Sequence, residues 1–170
     1  MSSLHVCPLS RLVETVETSG ARHVASLINA GMEVPYPLSV PVDQRLFLGF
    51  NDIVEDVSGF VPPEKIHAEQ LIDFVRDWDR EHAMVIHCWM GVSRSTAGVY
   101  IAQCTLMPDD DEDDLAQELR AASPEATPNI RLVQFADQLL GRDGRMVRAI
   151  EAIGRGEETF EGVPFSLPVR

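Results

Sequence analysis

Val85-Ile86-His87-Cys88-Trp89-Met90-Gly91-Val92-Ser93-Arg94-Ser95-Thr96 is the stretch on which the reading of this chain turns. Its apolar opening predicts a short buried strand, Gly91 marks a tight loop, and the residues from Ser95 onward predict a helix. A cysteine opens the loop and an arginine closes it, with five residues between them. A loop of that length can wrap once around an anion the size of a phosphate. Its backbone N–H groups then turn inward, and the positive end of the following helix points at the same spot. Cys88 falls at the base of this cradle and Arg94 on its rim.

The residue types suit phosphate chemistry. A thiol is a nucleophile only as the thiolate, a form favoured by a helix N-terminus, inward N–H groups and a nearby arginine. Arginine holds two phosphoryl oxygens at once and keeps its charge at any working pH. Gly91 permits a close approach and a positive φ that a side chain would obstruct. Ser95 can hydrogen-bond the Cys88 sulfur and ease its departure from a phosphoenzyme. For thiols in general, full ionisation at pH 7 gains roughly 30-fold in population, and the fall in nucleophilicity (Brønsted slope about 0.4–0.5) returns most of it. The acceleration therefore has to come from Arg94 and the loop N–H groups of Trp89, Met90, Gly91, Val92 and Ser93, which stabilise the oxygens of the transferring group.

His87-Cys88-x5-Arg94-Ser95 resembles the signature of the cysteine-dependent protein tyrosine phosphatases, and Gly91 with Ser93-Arg94-Ser95 is most similar to the small dual-specificity-like branch. The resemblance covers about residues 45–141. It implies a single α/β domain with a central, mostly parallel sheet flanked by helices. It also implies a phosphoprotein phosphatase acting on phosphotyrosine, with or without phosphoserine and phosphothreonine, through a cysteinyl phosphate. In that family an aspartate on a mobile loop, thirty-odd residues before the cysteine, protonates the leaving oxygen. Asp52 directly follows a predicted strand and is the preferred match; Asp56 also satisfies the spacing and is the alternative. The mechanism requires neither metal nor cofactor, and phosphate, sulfate or vanadate would serve as site ligands. His87 is expected to orient the nucleophile through hydrogen bonds.

Composition agrees by exclusion. A formal net charge of −13 should repel nucleic acid and anionic membranes, so neither is expected as a partner. It also disfavours highly anionic substrates at long range, so a phosphate site must win locally. Three cysteines, an odd number, argue against a disulfide framework and for a reducing compartment, read here as the cytoplasm. No apolar run approaches membrane-spanning length. The loop residues Trp89, Met90 and Val92 are apolar and carry no lysine, which favours a phosphorylated protein or small phosphomonoester over an inositide. Two other readings remain: a catalytically silent phosphate-recognition module, and a phosphoinositide phosphatase.

Around the motif, strands are expected over residues 4–9, 23–28, 45–50 and 83–86. The first predicted helix, over 12–17, has Ser10 as its N-cap and ends at Gly20. A second starts at Pro63-Glu64 and runs to Glu81, with Ile66, Leu71, Phe74, Val75 and Trp78 as its apolar face. Residues 95–106 read as a buried central helix. The run from Asp109 to Asp114 reads as a solvated helix start, since it lacks the alternation and glycine of a calcium loop. Further helices are expected over 115–122, 130–140 and 146–153. Tyr36, between two prolines, reads as part of a rigid surface turn, with a pocket-mouth role as the alternative. Cys7 and Cys104 read as core residues, Cys7 with a redox partnership to Cys88 as the minority reading. Residues 1–153 form the expected domain, and 154–170 a C-terminal tail that either packs back or stays loose.

Overall fold

In a computed structural model that describes residues 2–170, the loop at Cys88 leaves the middle strand of a five-stranded sheet. The strands are β1 (Ser3–Pro8), β2 (His23–Ile28), β3 (Arg45–Gly49), β4 (Met84–Cys88) and β5 (Phe165–Pro168), in the spatial order β3-β2-β4-β1-β5. β3, β2, β4 and β1 are parallel, and β5 is antiparallel to β1. The chain is thus an α/β domain with a mostly parallel sheet. Every residue of β2 and β4 is buried, as expected of parallel strands covered on both faces. The first two strands do not touch: β4 inserts between them, and α1 (Leu12–Ser19) crosses over it.

Side-chain alternation along the strands feeds two cores. On one face Cys7, Val24 and Val85 pack with Leu12 and Val16 of α1. On the other, Leu4, Val6, Ala25, Leu27, Met84 and Ile86 meet the remaining helices. These are α2 (Lys65–Arg76), α3 (Arg94–Leu106), α4 (Glu112–Ala122), α5 (Ile130–Leu140) and α6 (Arg145–Ile153). α3 is buried along nearly its whole length. It therefore fixes the helix N-terminus rigidly beneath the loop. No helix among the described residues is long and apolar enough to cross a membrane.

Several expectations need correction. Ser10 does not cap α1: it lies in a 3-10 turn, the capping position is Arg11, and the Ser10 hydroxyl donates to Glu161. α2 stops at Arg76 rather than Glu81, because the chain turns at Asp77 and Arg80 takes a left-handed φ of 62° that a helix cannot contain. Trp78 stays buried, but from outside the helix, with its indole donating to the His82 carbonyl at 3.0 Å. Ile66, expected on the buried face, is 48% exposed.

The acidic run is not wholly solvated. Asp111 caps α4, accepting from the N–H groups of Asp113 and Asp114 at 2.8 and 3.3 Å. Glu112 shares a helix face with Leu115, Ala116 and Leu119, and that face is turned inward. It is buried and meets Arg142 at 2.7 Å. The segment after Gly154 packs back: β5 closes the sheet beside β1, so the tail is part of the folded body.

Candidate functional site

The site begins at the C-terminal end of β4. Cys88, 2% exposed, donates through its thiol to Ser95 Oγ at 3.0 Å and accepts from the Gly91 N–H at 3.2 Å. Gly91 is forced in two ways. Its φ is +74°, and a Cβ there would stand 2.8 Å from the Pro8 nitrogen. The loop therefore passes so close to the end of β1 that only glycine fits. Met90 and Val92 are half-buried, and Trp89 is 50% exposed on the loop rather than packed beneath a neighbouring segment.

Arg94, at the first turn of α3, is buried. One guanidinium nitrogen, Nη1, donates to Asn29 Oδ1 at 2.6 Å and to the Phe50 carbonyl at 2.7 Å. Asn29 follows β2 and Phe50 follows β3, so two strand ends hold one corner of the fork. No hydrogen bond from Nε or Nη2 to a protein group occurs among the described residues. That leaves one edge of the guanidinium for an oxyanion.

Of the two candidate acids, Asp52 is the one joined to the loop. Its Oδ1 accepts from Ser93 Oγ at 2.7 Å and from Asn129 Nδ2 at 2.9 Å. Asn129 also donates to the Ile53 carbonyl and, through Oδ1, caps α5 at the Leu132 N–H. Asp56 pairs instead with Arg131 at 3.0 Å and lies mostly in solvent. Sequence reasoning missed Asn29 and Asn129. The strand-end argument that selected Asp52 applies equally to Asn29, and Pro128-Asn129 ahead of α5 carries an N-cap signature.

Behind the cysteine, His87 is buried, and a hydrogen-bond chain runs away from it. Tyr36 Oη and Ser26 Oγ are 2.8 Å apart, and Ser26 Oγ is 2.7 Å from His87 Nε2. The other ring nitrogen lies 3.4 Å from the Cys88 carbonyl. One consistent direction has Tyr36 donating to Ser26, Ser26 to Nε2, and Nδ1–H to the carbonyl. Burial, ahead of the opposing contact with the Cys88 carbonyl, pushes His87 down to about 4. It is therefore neutral at neutral pH, which suits an orienting group and not a cation. Tyr36 sits half-buried in the loop after β2, with its hydroxyl facing inward onto Ser26 and Arg45 stacked on its ring.

No family model matches the chain, and no curated protein matches it. Solved structures do. DUSP15 superposes with a TM-score of 0.61 at 19% identity over 91% of this chain and 94% of its own. The PTP-2 phosphatase of Cydia pomonella gives 0.61 at 18% identity, over 79% and 84%. PTPMT1, solved in complex with PI(5)P, gives 0.57 at 13% identity, over 86% and 90%. The chain has the fold of the small dual-specificity phosphatases.

Proposed function

We propose that the chain is a phosphomonoester hydrolase of phosphorylated protein, working through a cysteinyl phosphate. The observation that carries this is the environment of one atom: Cys88 Sγ has Ser95 Oγ at 3.0 Å and the Gly91 N–H at 3.2 Å, at the N-terminus of a buried helix whose first residue is Arg94.

In the first half-reaction the Cys88 thiolate attacks phosphorus and the ester P–O bond breaks. The leaving oxygen takes a proton from Asp52. Ser93 and Asn129 both donate to Oδ1 of that carboxyl, so Oδ2 is the oxygen left to carry the proton. The loop N–H groups and the free edge of Arg94 hold the three phosphoryl oxygens in both half-reactions. In the second, Asp52 takes a proton from water, the water oxygen attacks phosphorus, and the S–P bond breaks. Ser95 then turns its hydroxyl toward the departing thiolate. Asp56 is the weaker candidate for the acid: it lies mostly in solvent against Arg131, whereas Asp52 is hydrogen-bonded to the loop through Ser93.

The substrate reading rests on charge beside the acid, at the end of the loop. A cavity of 990 Å³ extends from Asp52 and Ser93 and is walled by Glu151, Glu157, Glu158 and Phe160. Arg155 in the same wall pairs with Glu158 at 3.9 Å. Such a wall suits a peptide carrying a single phosphate and disfavours a polyanionic headgroup. The three cysteines are free thiols, which suits the cytoplasm.

The test is aryl phosphate hydrolysis from pH 4.5 to 8 by wild type, Cys88→Ser and Asp52→Asn. A bell-shaped profile, lost in the first variant and stripped of its basic limb in the second, supports the mechanism. Full activity in Asp52→Asn moves the acid elsewhere. Vanadate binding without turnover in wild type makes the domain a phosphate-recognition module. Faster turnover of a soluble inositide than of a phosphotyrosyl peptide overturns the substrate reading.

A further inference from the structure

The phosphate loop owes its shape to bonds made from outside it. Four of its carbonyls are held by N–H groups of other segments. Leu9 donates to the Trp89 carbonyl at 3.2 Å and Gly162 to Met90 at 2.8 Å. Thr127 donates to Val92 at 2.9 Å and Asn129 to Ser93 at 3.2 Å. In a trans peptide the N–H points opposite to the C=O of the same unit, and no peptide among the described residues is cis. Each carbonyl held on the outside therefore aims the next residue's N–H into the cradle.

One of the four differs from the rest. The peptide whose carbonyl belongs to Met90 carries the N–H of Gly91, and that N–H donates to Cys88 Sγ at 3.2 Å. Gly162 holds the outer end of this peptide with the shortest of the four bonds. Its approach is so close that a Cβ on Gly162 would lie 2.7 Å from the Gly91 carbonyl oxygen, a backbone atom that cannot rotate away. The segment carrying Gly162 is anchored on both sides: Gly156 donates to Thr127 Oγ1 at 3.0 Å and Glu157 to the Pro124 carbonyl at 2.9 Å, and β5 follows on the sheet edge.

We infer that Gly162 is a positioning residue for the phosphate loop, fixing the Met90–Gly91 peptide so that its N–H faces the Cys88 sulfur and the oxyanion beside it. The C-terminal segment is then a structural part of the site, although it lies beyond residue 141, where the sequence resemblance ends. The inference rests on the reading of the loop as an oxyanion site, and not on turnover. An oxyanion gains from an N–H only if that N–H points at it. Displacing Gly162 by the width of a methyl group frees the peptide to rotate and withdraw the donor.

The experiment compares wild type, Gly162→Ala and Leu167→Ala. Leu167 is buried in β5 and pairs with Leu4, so its truncation loosens the same segment without touching the loop. Vanadate affinity, kcat and KM for an aryl phosphate, and Tm are measured on all three. Gly162→Ala should bind vanadate at least tenfold more weakly and lose kcat by a similar factor. Leu167→Ala should lower Tm at least as much while keeping vanadate affinity within twofold of wild type. Vanadate affinity within twofold of wild type in Gly162→Ala overturns the inference, and so does an equal loss in Leu167→Ala, which would make the effect one of general loosening. If wild type binds vanadate without hydrolysing the ester, the hydrolase reading fails and the affinity contrast still decides the role of Gly162. A wild type that binds no vanadate overturns both.

Discussion

Asn129 Nδ2 donates to Asp52 Oδ1 at 2.9 Å across 77 positions of sequence, and Asn129 Oδ1 at the same time caps α5 at the Leu132 N–H. One amide thus ties the loop after β3 to the start of the penultimate helix, and the two ends of the side chain do separable jobs. Asn129→Asp keeps a good N-cap but replaces the donor with a second carboxylate beside Asp52. Stability should stay within about 1 kcal/mol of wild type, while kcat for an aryl phosphate falls about tenfold or more as the acid is displaced. Asn129→Ala should lose both, with a further drop in Tm. Equal kcat in wild type and Asn129→Asp would show that Asp52 needs no such tether.

His87 is neutral in the folded protein because burial pushes it down to about 4, whereas an unfolded histidine titrates near 6.5. Between those values the unfolded state binds the extra proton, so stability rises with pH across the window and falls as acid is added. The full effect of His87 is on the order of 3 kcal/mol between pH 7 and pH 4. His5, His23 and His67 are also lowered, chiefly by burial, so the difference between wild type and variant is what isolates His87. Urea unfolding of wild type and His87→Gln at several pH values should show the shallower pH slope in the variant. Parallel slopes would mean that His87 takes up its proton in the native state as readily as in the unfolded chain.

The parts of the fold that a one-dimensional pattern controls were legible. β2, β4, α3 and α5 follow from unbroken apolar runs and periodicity, and the first helix ends at Gly20 as the sequence predicts, in a left-handed turn. The contact of Cys88 with Ser95 was legible because a loop and a helix N-terminus bring the two together within eight residues. What was not legible depends on pairing between distant segments. The insertion of β4 between β1 and β2, the return of β5, the second ligand of Arg94 from Asn29 and the contact of Gly162 with the loop all arise from topology. Glu112 was misread for a related reason: composition marks an acidic run as solvated, and only the arrival of Arg142 explains why one member turns inward.

Glu112 and Arg142 form a buried pair, each about 8% exposed at the side chain, and Arg142 also donates to the Cys104 carbonyl at 2.6 Å. Burial alone would raise the Glu112 carboxyl, but hydrogen bonds from Arg142 and Arg145 outweigh it and the net direction is downward. A carboxyl lowered by folding contributes stability above its unfolded value, near 4.5, and loses it as pH falls through the folded value. Glu112→Gln leaves the Arg142 charge buried and unpaired, at a cost of about 3 kcal/mol at pH 7. For a domain of this size the Tm should fall by roughly 10 °C. The gap between the two proteins should close toward pH 3 as the wild-type carboxyl protonates. A pH-independent gap would assign the effect to packing.

The three thiols are all buried, yet their settings predict opposite reactivity. Burial pushes Cys7 up to about 12 against a weaker opposing hydrogen bond from Thr15, and pushes Cys104 to about 12 against Tyr100 and Arg142. Neither forms a thiolate at neutral pH. Cys88 has the N–H of Gly91 on its sulfur and opens onto the loop. Iodoacetamide applied to the native protein at pH 6.5 should therefore carboxamidomethylate Cys88 alone, with Cys7 and Cys104 modified only after denaturation. Peptide mass mapping over time measures all three rates in one experiment, and vanadate should protect Cys88 selectively. Labelling of Cys7 at a rate comparable to Cys88 would contradict its assignment to the core. It would revive an exchange between the two thiols at the neighbouring ends of β1 and β4, where Pro8 and Cys88 are in register.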